Sequence, residues 1–312
     1  MESLTISPER TAGMRRLEGG VFRMGSDRFY PEERPARPVK VDAFWIDEVP
    51  VTNRQFADFV QATGYQTLAE IPPDPADYPG LPKRMQRAGS AVFSPPARPV
   101  SLDDATRWWE FRFGANWRRP QGVHGPRAQD DHPVVHVAYP DAEAYAAWAG
   151  KSLPTEAEWE FAARGGLEDA EFAWGDELAP QGQMLANYWQ GEFPRQNLKL
   201  DGWERTSPVR AFPPNGHGLY DMIGNVWEWT CDWYGVAAAS GRTCCAPQAP
   251  RGATREESFD PQMPQVAIPR RVIKGGSHLC AENYCQRYRP AARHPQMIDS
   301  STSHIGFRCV LR

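Results

Sequence analysis

The sequence predicts a compact α+β domain, poor in long regular elements and held together by aromatic side chains. Glycine and proline number 26 and 30 among 312 residues, about 18% together where average usage is about 12%, so turns break the chain too often for a helical bundle. Twelve tryptophans exceed what an ordinary surface needs and supply large apolar bodies to staple loops into a core. Short helix-period and strand-period segments both occur. The length allows one large domain or two average ones, and either holds a sizeable core.

Charge and apolar patterning exclude several function classes. Lysine and arginine number 35 against 39 aspartates and glutamates, a net charge of −4, so no global positive field gathers phosphates and no nucleic-acid partner is expected. No run of some 18 apolar residues occurs, which predicts no membrane span, and Met1 to Arg16 lacks the apolar core of a secretory signal. The expected address is the cytoplasm. Cys231, Cys244, Cys245, Cys280, Cys285 and Cys309 are too few for a disulfide scaffold in a chain this long, and a reducing compartment leaves them as thiols.

Residues 1–18 read as an irregular tail. GGVFRMGS at Gly19 to Ser26 and the following RPVKVDAFWIDEVPVT read as strands broken by turns. Thr52-Asn53-Arg54-Gln55 is a capping box, Phe56, Phe59 and Val60 form an i, i+3, i+4 stripe, and Gly64 supplies the left-handed stop of a helix. Residues 71–131 carry Pro, Arg and Trp without sustained period and predict an elaborated surface region able to shape a cleft. Val134 to Val137 read as a short strand, followed by a helix with Pro140 in its first turn and Gly150 at its end. A further helix starts at the capping box Thr155-Glu156-Ala157-Glu158 and stops at Gly165. From Phe172 to Trp233 turn residues alternate with Trp and Tyr, which leaves carbonyls without ladders and demands another set of donors. Residues 235–269 read as a polar loop, and RVIKGGSHLC and HIGFRCVLR as closing strands.

Chemistry concentrates at Cys280-Ala-Glu-Asn-Tyr-Cys285. A spacing of five suits neither a strand face nor a helix face, so the sulfurs converge only if Ala281 to Tyr284 make a turn. Converged thiols suit a redox disulfide, half of a zinc site or a two-coordinate site for a soft ion such as Cu(I), and spacing alone is equally compatible with two packed hydrophobes. Zinc is disfavoured because no second close Cys or His pair follows. Asp221 and Glu228, with carbonyls of the Gly224-Asn225 turn, and Asn187 with Asp201, offer the oxygens that Ca²⁺ accepts. Spacing alone favours a capped turn for the first and a hydrogen-bonded loop for the second. The seven histidines show no metal spacing and read as mostly structural, and CCAP at Cys244 reads as a loop feature. Nucleotide-binding and serine-hydrolase motifs are absent.

These residues carry a resemblance. GGVFRMGS, VTNRQFADFV, HPVVHVAY, WAGKSLPTEAEWEFAARGG, NGHGLYDMIGNVWEW and KGGSHLCAENYCQRYRPAAR with DSSTSHIGFRC resemble the formylglycine-generating enzymes, or sulfatase-modifying factors, of the bacterial cytoplasmic type. The resemblance implies one domain over residues 19–312 of the C-type-lectin-like kind, with variable loops at 71–131 and 235–269 and a groove for an unfolded peptide. It implies oxidation by O₂ of a cysteine in a Cys-x-Pro-x-Arg segment of a sulfatase to Cα-formylglycine. Cys280 and Cys285 match the family's Cu(I)-binding cysteines, Ser277 and Tyr284 match neighbours of the oxygen site, and Trp227 matches a tryptophan lining it.

The same likeness implies structural Ca²⁺ on Asn187, the Tyr188 carbonyl, Asp201 and the Trp203 carbonyl, and again on Asp221, the Gly224 and Val226 carbonyls and Glu228. His304 stands at an active-site position that is often Asn, and Ala163 and Pro290 stand where secreted relatives carry disulfide cysteines. Chemistry agrees with a metal, since removing a hydrogen from an unactivated Cβ with O₂ needs a one-electron centre and no flavin or haem motif is present. Two thiolates select Cu(I) by softness and leave room for the substrate sulfur. Loss of the Cβ hydrogen gives a thioaldehyde that hydrolyses to the aldehyde, and an external thiol reductant supplies the remaining electrons. The alternative is a lectin-like peptide or glycan-binding module that keeps the fold without catalysis. An iron-dependent sulfoxide synthase lacks support, because no histidine-rich iron motif is visible.

Overall fold

A computed structural model describes residues 10–76, 78, 80–235 and 252–312. Cys244, Cys245 and part of the loop expected at 235–269 lie outside them. The strands and helices run β1 (Met14–Leu17), β2 (Gly20–Met24), β3 (Arg37–Val41), β4 (Phe44–Asp47), α1 (Asn53–Thr63), β5 (Gly89–Phe93), β6 (Trp109–Phe113), α2 (Tyr139–Trp148), α3 (Glu156–Arg164), β7 (Trp227–Trp233), β8 (Arg270–Lys274), β9 (Arg293–Met297), β10 (Ile305–Gly306) and β11 (Val310–Leu311). They form a sheet β1-β4-β11, a sheet β10-β7-β8-β9, and the hairpins β2-β3 and β5-β6. The architecture is α+β, with both ends of the chain meeting on β4.

Helix ends follow local chemistry. Thr52 Oγ1 accepts from Gln55 N at 3.3 Å while Gln55 Oε1 accepts from Thr52 N at 2.9 Å, and Gly64 closes α1 at φ 70°. Thr155 and Glu158 repeat the box on α3, and Gly165 at φ 60° ends it. Only a residue free of Cβ strain enters that left-handed turn cheaply. The buried face of α1 sets Phe56 against Trp117 at 5.2 Å, Tyr145 at 5.9 Å and Phe307 at 6.4 Å, so aromatic contacts join elements that share no ladder.

Three stretches differ from the sequence reading. The irregular tail contains β1, whose Met14 and Leu17 are buried and which pairs antiparallel with β4. The surface region contains β5 and β6, in register from Gly89 opposite Phe113 to Phe93 opposite Trp109, joined by a loop too long to carry a hairpin signature. Val134 to Val137 is no strand. His136 turns to φ 60°, which brings its Nδ1 within 2.6 Å of Ser90 Oγ and its Nε2 within 2.9 Å of Pro120 O. Those contacts hold a backbone conformation that a bulky residue otherwise avoids.

Side chains as well as turn backbone meet the carbonyls that ladders leave over, between Phe172 and Trp233 and in the segments packed beside it. Arg308, at 0% exposure, donates to both oxygens of Glu228 at 2.7 and 2.8 Å, to Tyr220 O at 2.9 Å and Asp221 O at 3.3 Å, and to Asp47 O at 3.2 Å. Trp159 on α3 donates to the same Glu228 at 2.7 Å. Asn187 Nδ2 and Asn215 Nδ2 reach Arg205 O and Ala162 O, each at 2.8 Å. Removing one partner of a buried pair strands the other charge without water. Arg308→Ala is therefore expected to lower the unfolding free energy by about 3–5 kcal/mol, read as a lower urea midpoint, and a midpoint unchanged from the parent would contradict this reading.

Candidate functional site

Strand β8 leads into the site through Gly275 and Gly276, both at positive φ. A Cβ on Gly276 would stand 2.8 Å from the backbone of Arg287, so this crossing requires glycine. Beyond it, Cys280 N donates to Ser277 O, and Cys285 N donates back to Ala281 O, both at 2.9 Å. That turn brings Cys280 Sγ to 3.3 Å from Cys285 Sγ. Trp189 N donates to Cys280 O at 2.9 Å, and the Asn283 side chain exchanges hydrogen bonds with the backbone of Phe193 at 3.2 and 3.3 Å, which anchors the turn from its other side.

The two sulfurs are electrostatically unequal. Burial pushes the Cys280 thiol well up, which favours it over Cys285 as the donor of the hydrogen bond between them. Accepting this hydrogen bond, with the Arg287 charge adding to it against burial, lowers the Cys285 pKa to about 6. Arg287 Nη1 lies 3.8 Å from Cys285 Sγ, and the guanidinium is set by Glu32 at 2.6 Å and by the Tyr30 ring at 3.9 Å. Cys285 is therefore the sulfur of the pair that ionises more readily, and Cys280 the one that keeps its proton.

The pair lines a cleft of about 950 Å³. Ser277, Trp227, Tyr284 and His304 line it too, so all six residues singled out around the cysteines meet in one place. Tyr284 stacks on Phe193 with centroids 4.7 Å apart, and Trp108 meets Tyr284 edge-on at 5.5 Å. Ile71, Met85 and Phe111 of the surface region form part of the wall. His304 Nδ1 lies 2.6 Å from Thr302 Oγ1, and its ring packs at 4.8 Å against Trp109.

Two lining residues escaped the sequence reading. His294, 5.8 Å from the Trp227 ring, was grouped with the structural histidines. Burial lowers the His294 pKa to about 4 and pushes that of His304 well below its ordinary value, so both rings are neutral in this wall. Arg287 sits two residues past Cys285, and a cation that close to a cysteine pair is the one local signal that marks it.

Donor chemistry separates the three metal sets. Two soft sulfurs 3.3 Å apart beside a cleft fit Cu(I). At Asp201 the carboxylate accepts from Trp203 N at 2.9 Å, Tyr188 N at 3.2 Å and Gln190 Nε2 at 2.9 Å, and no cationic side chain pairs with it among the described residues. Its charge and the Asn187 amide fit Ca²⁺. The set Asp221, Gly224, Val226 and Glu228 does not fit, because Arg308 already neutralises Glu228 and donates to Asp221 O. The carboxylate placed there as a calcium ligand has a buried arginine as its counter-ion.

Fold and site define a compact α+β domain with an open cleft whose wall carries a pair of converged cysteines. The family model described as "Sulfatase-modifying factor enzyme 1-like domain" matches residues 3–312, and the chain belongs to that family. The formylglycine-generating enzyme of Mycobacterium tuberculosis is 54% identical over 298 residues, covering 94% of this chain and 96% of that one. The inactive C-alpha-formylglycine-generating enzyme 2 of Bos taurus is 37% identical over 318 residues, covering 98% and 90%. The structure of PvdO from Pseudomonas aeruginosa superposes with TM-score 0.64 at 22% identity, covering 95% and 93%, and shares the fold.

Alkylation of Cys285 by iodoacetamide is expected to rise through a one-proton curve with its midpoint near pH 6, since the lowered pKa makes the thiolate the dominant form above that value. Arg287→Gln should move the midpoint up. A parent midpoint at the ordinary thiol value of about 8.5 would rule out the lowered Cys285 pKa.

Proposed function

We propose that the chain oxidises a cysteine in a Cys-x-Pro-x-Arg segment of an unfolded sulfatase to Cα-formylglycine, with O₂ as oxidant, an external thiol as reductant and Cu(I) on Cys280 and Cys285. The observation that carries this reading is the sulfur pair, 3.3 Å apart, in the wall of a cleft large enough for a peptide segment. The family relative named for generating formylglycine supports the reaction class.

The balance is RCH₂SH + O₂ + 2H⁺ + 2e⁻ to RCHO + H₂S + H₂O. Cu(I) bound there supplies the one-electron chemistry toward O₂ that no side chain offers. The protein's own groups account for the rest. Cys285 is the more readily ionised sulfur, and Cys280 releases its proton to the cleft when both sulfurs serve as ligands. Trp108, Phe193 and Tyr284 form an apolar wall that keeps water from the substrate Cβ. Ser277, Trp227 and the neutral His304 border the position where oxygen reacts, and the His304 ring is fixed there by Thr302 and Trp109. Asn187, Tyr188, Asp201 and Trp203 hold a structural Ca²⁺ that steadies the loop leading to Phe193.

The described cysteines are all free thiols, which supports a cytoplasmic setting. No helix among the described residues is long and apolar enough to cross a membrane. A non-catalytic binding module is the competing reading, favoured by the relative named inactive; the converged cysteine pair beside an open cleft argues for the oxidase.

A Cys-x-Pro-x-Arg peptide incubated with the Cu(I)-loaded chain, O₂ and thiol is expected to gain an aldehyde, captured by hydrazide and read by mass. Cys280→Ser and Cys285→Ser should each fall to the protein-free background. Binding of the peptide without aldehyde, unaltered by either substitution, would establish the module instead.

A further inference from the structure

The two segments that build the catalytic cleft also wall a second cavity. Ser277, Thr302 and His304 line the cleft, whereas their chain neighbours His278 and Ser303 line a separate cavity of about 300 Å³. Volume alone puts it at the lower limit of small-molecule sites.

Its lining is cationic and poorly compensated. Arg127 and the half-buried Arg205 line it, and neither makes an ion pair or side-chain hydrogen bond among the described residues. Burial pulls the Arg205 pKa below its ordinary value, the Glu204 charge offsets part of this, and Arg112 adds a like charge. A half-buried guanidinium with no ion pair or hydrogen bond, and only a nearby exposed carboxylate to balance it, is held at a cost that a ligand can reduce. Glu204 is the one carboxylate among the lining residues, and it is exposed and faces Lys199 at 3.8 Å. His132 Nε2, a ring nitrogen able to donate from the same lining, is buried without a protein partner, while its Nδ1 lies 2.9 Å from Thr206 Oγ1. Such orphaned atoms are uncommon in a folded chain and call for a bound molecule or water.

We propose that this cavity binds a small oxyanion, phosphate or sulfate, with Arg205 and Arg127 as its cationic clamps. Planar guanidinium forks match the spacing of two oxygens on such a group, which a halide cannot reproduce. The bound anion braces the back of the segments that carry Cys280 and His304. This site stands apart from the copper reading, since its ligand and its residues are different.

The test is thermal unfolding of the full chain, titrated with sodium phosphate, sodium sulfate and sodium chloride at matched ionic strength. A saturable rise in Tm with either oxyanion and none with chloride is expected. The rise should disappear in Arg205→Gln and weaken in Arg127→Gln, and persist in Cys280→Ser. Should Arg205→Gln lose its native circular dichroism, calorimetric titration of phosphate into Arg127→Gln decides between the two outcomes. Equal rises with chloride, no rise at all, or an undiminished response in a folded Arg205→Gln or Arg127→Gln chain would overturn the proposal. None of these readouts involves turnover, so failure here leaves the oxidase reading standing.

Discussion

Arg308 and Glu228 are closed off from solvent and face each other with paired hydrogen bonds, and the loop-rich half of the molecule is organised around them. Nη1 of the arginine donates to the Asp47 and Glu48 carbonyls at the end of β4, and Nη2, shared with Glu228, donates also to the Tyr220 and Asp221 carbonyls before β7. Trp159 adds the third helix to the same carboxylate. A chain with so few long elements needs such a hub, because backbone groups buried without partners are more costly than the hydrogen bonds gained are favourable.

The consequence reaches the cleft through β7 and β10. These strands pair in parallel from Trp227 opposite Ile305, so the hub that fixes Glu228 also fixes Trp227, and the strand that follows His304 is held beside it. On the other side of β7, strand β8 ends in the double glycine that delivers Ser277 and the cysteine turn. The cleft wall is thus built from strand ends, where a rigid ladder stops and side chains face open space. The two cysteines occupy the place where that rigidity meets the cleft.

What the sequence disclosed was what depends on near neighbours. Both capping boxes and both left-handed stops lie within one or two turns of the residues they serve, and the Cys280 to Cys285 turn follows from a spacing that admits no other convergence. Contacts between distant residues stayed hidden. Arg308 and Glu228 are 80 positions apart, and nothing in either segment names the other. The same holds for β1, whose partner β4 lies across a hairpin, and for β5 and β6, separated by an irregular loop. His136 defeated the strand reading because its backbone is set by Ser90 and Pro120, which belong to another part of the chain. His294 was passed over for the same reason, since on β9 its role comes from the Trp227 ring beside it.

The account turns on two sulfurs acting as one soft-metal site. Titration of the reduced chain with Cu(I) against a competing chelator, under anaerobic conditions, measures that directly. One tightly held equivalent per chain is predicted, absent from both Cys280→Ser and Cys285→Ser and retained in Cys309→Ser. Binding that survives loss of either cysteine of the pair, or no binding beyond the chelator in the parent chain, would contradict it.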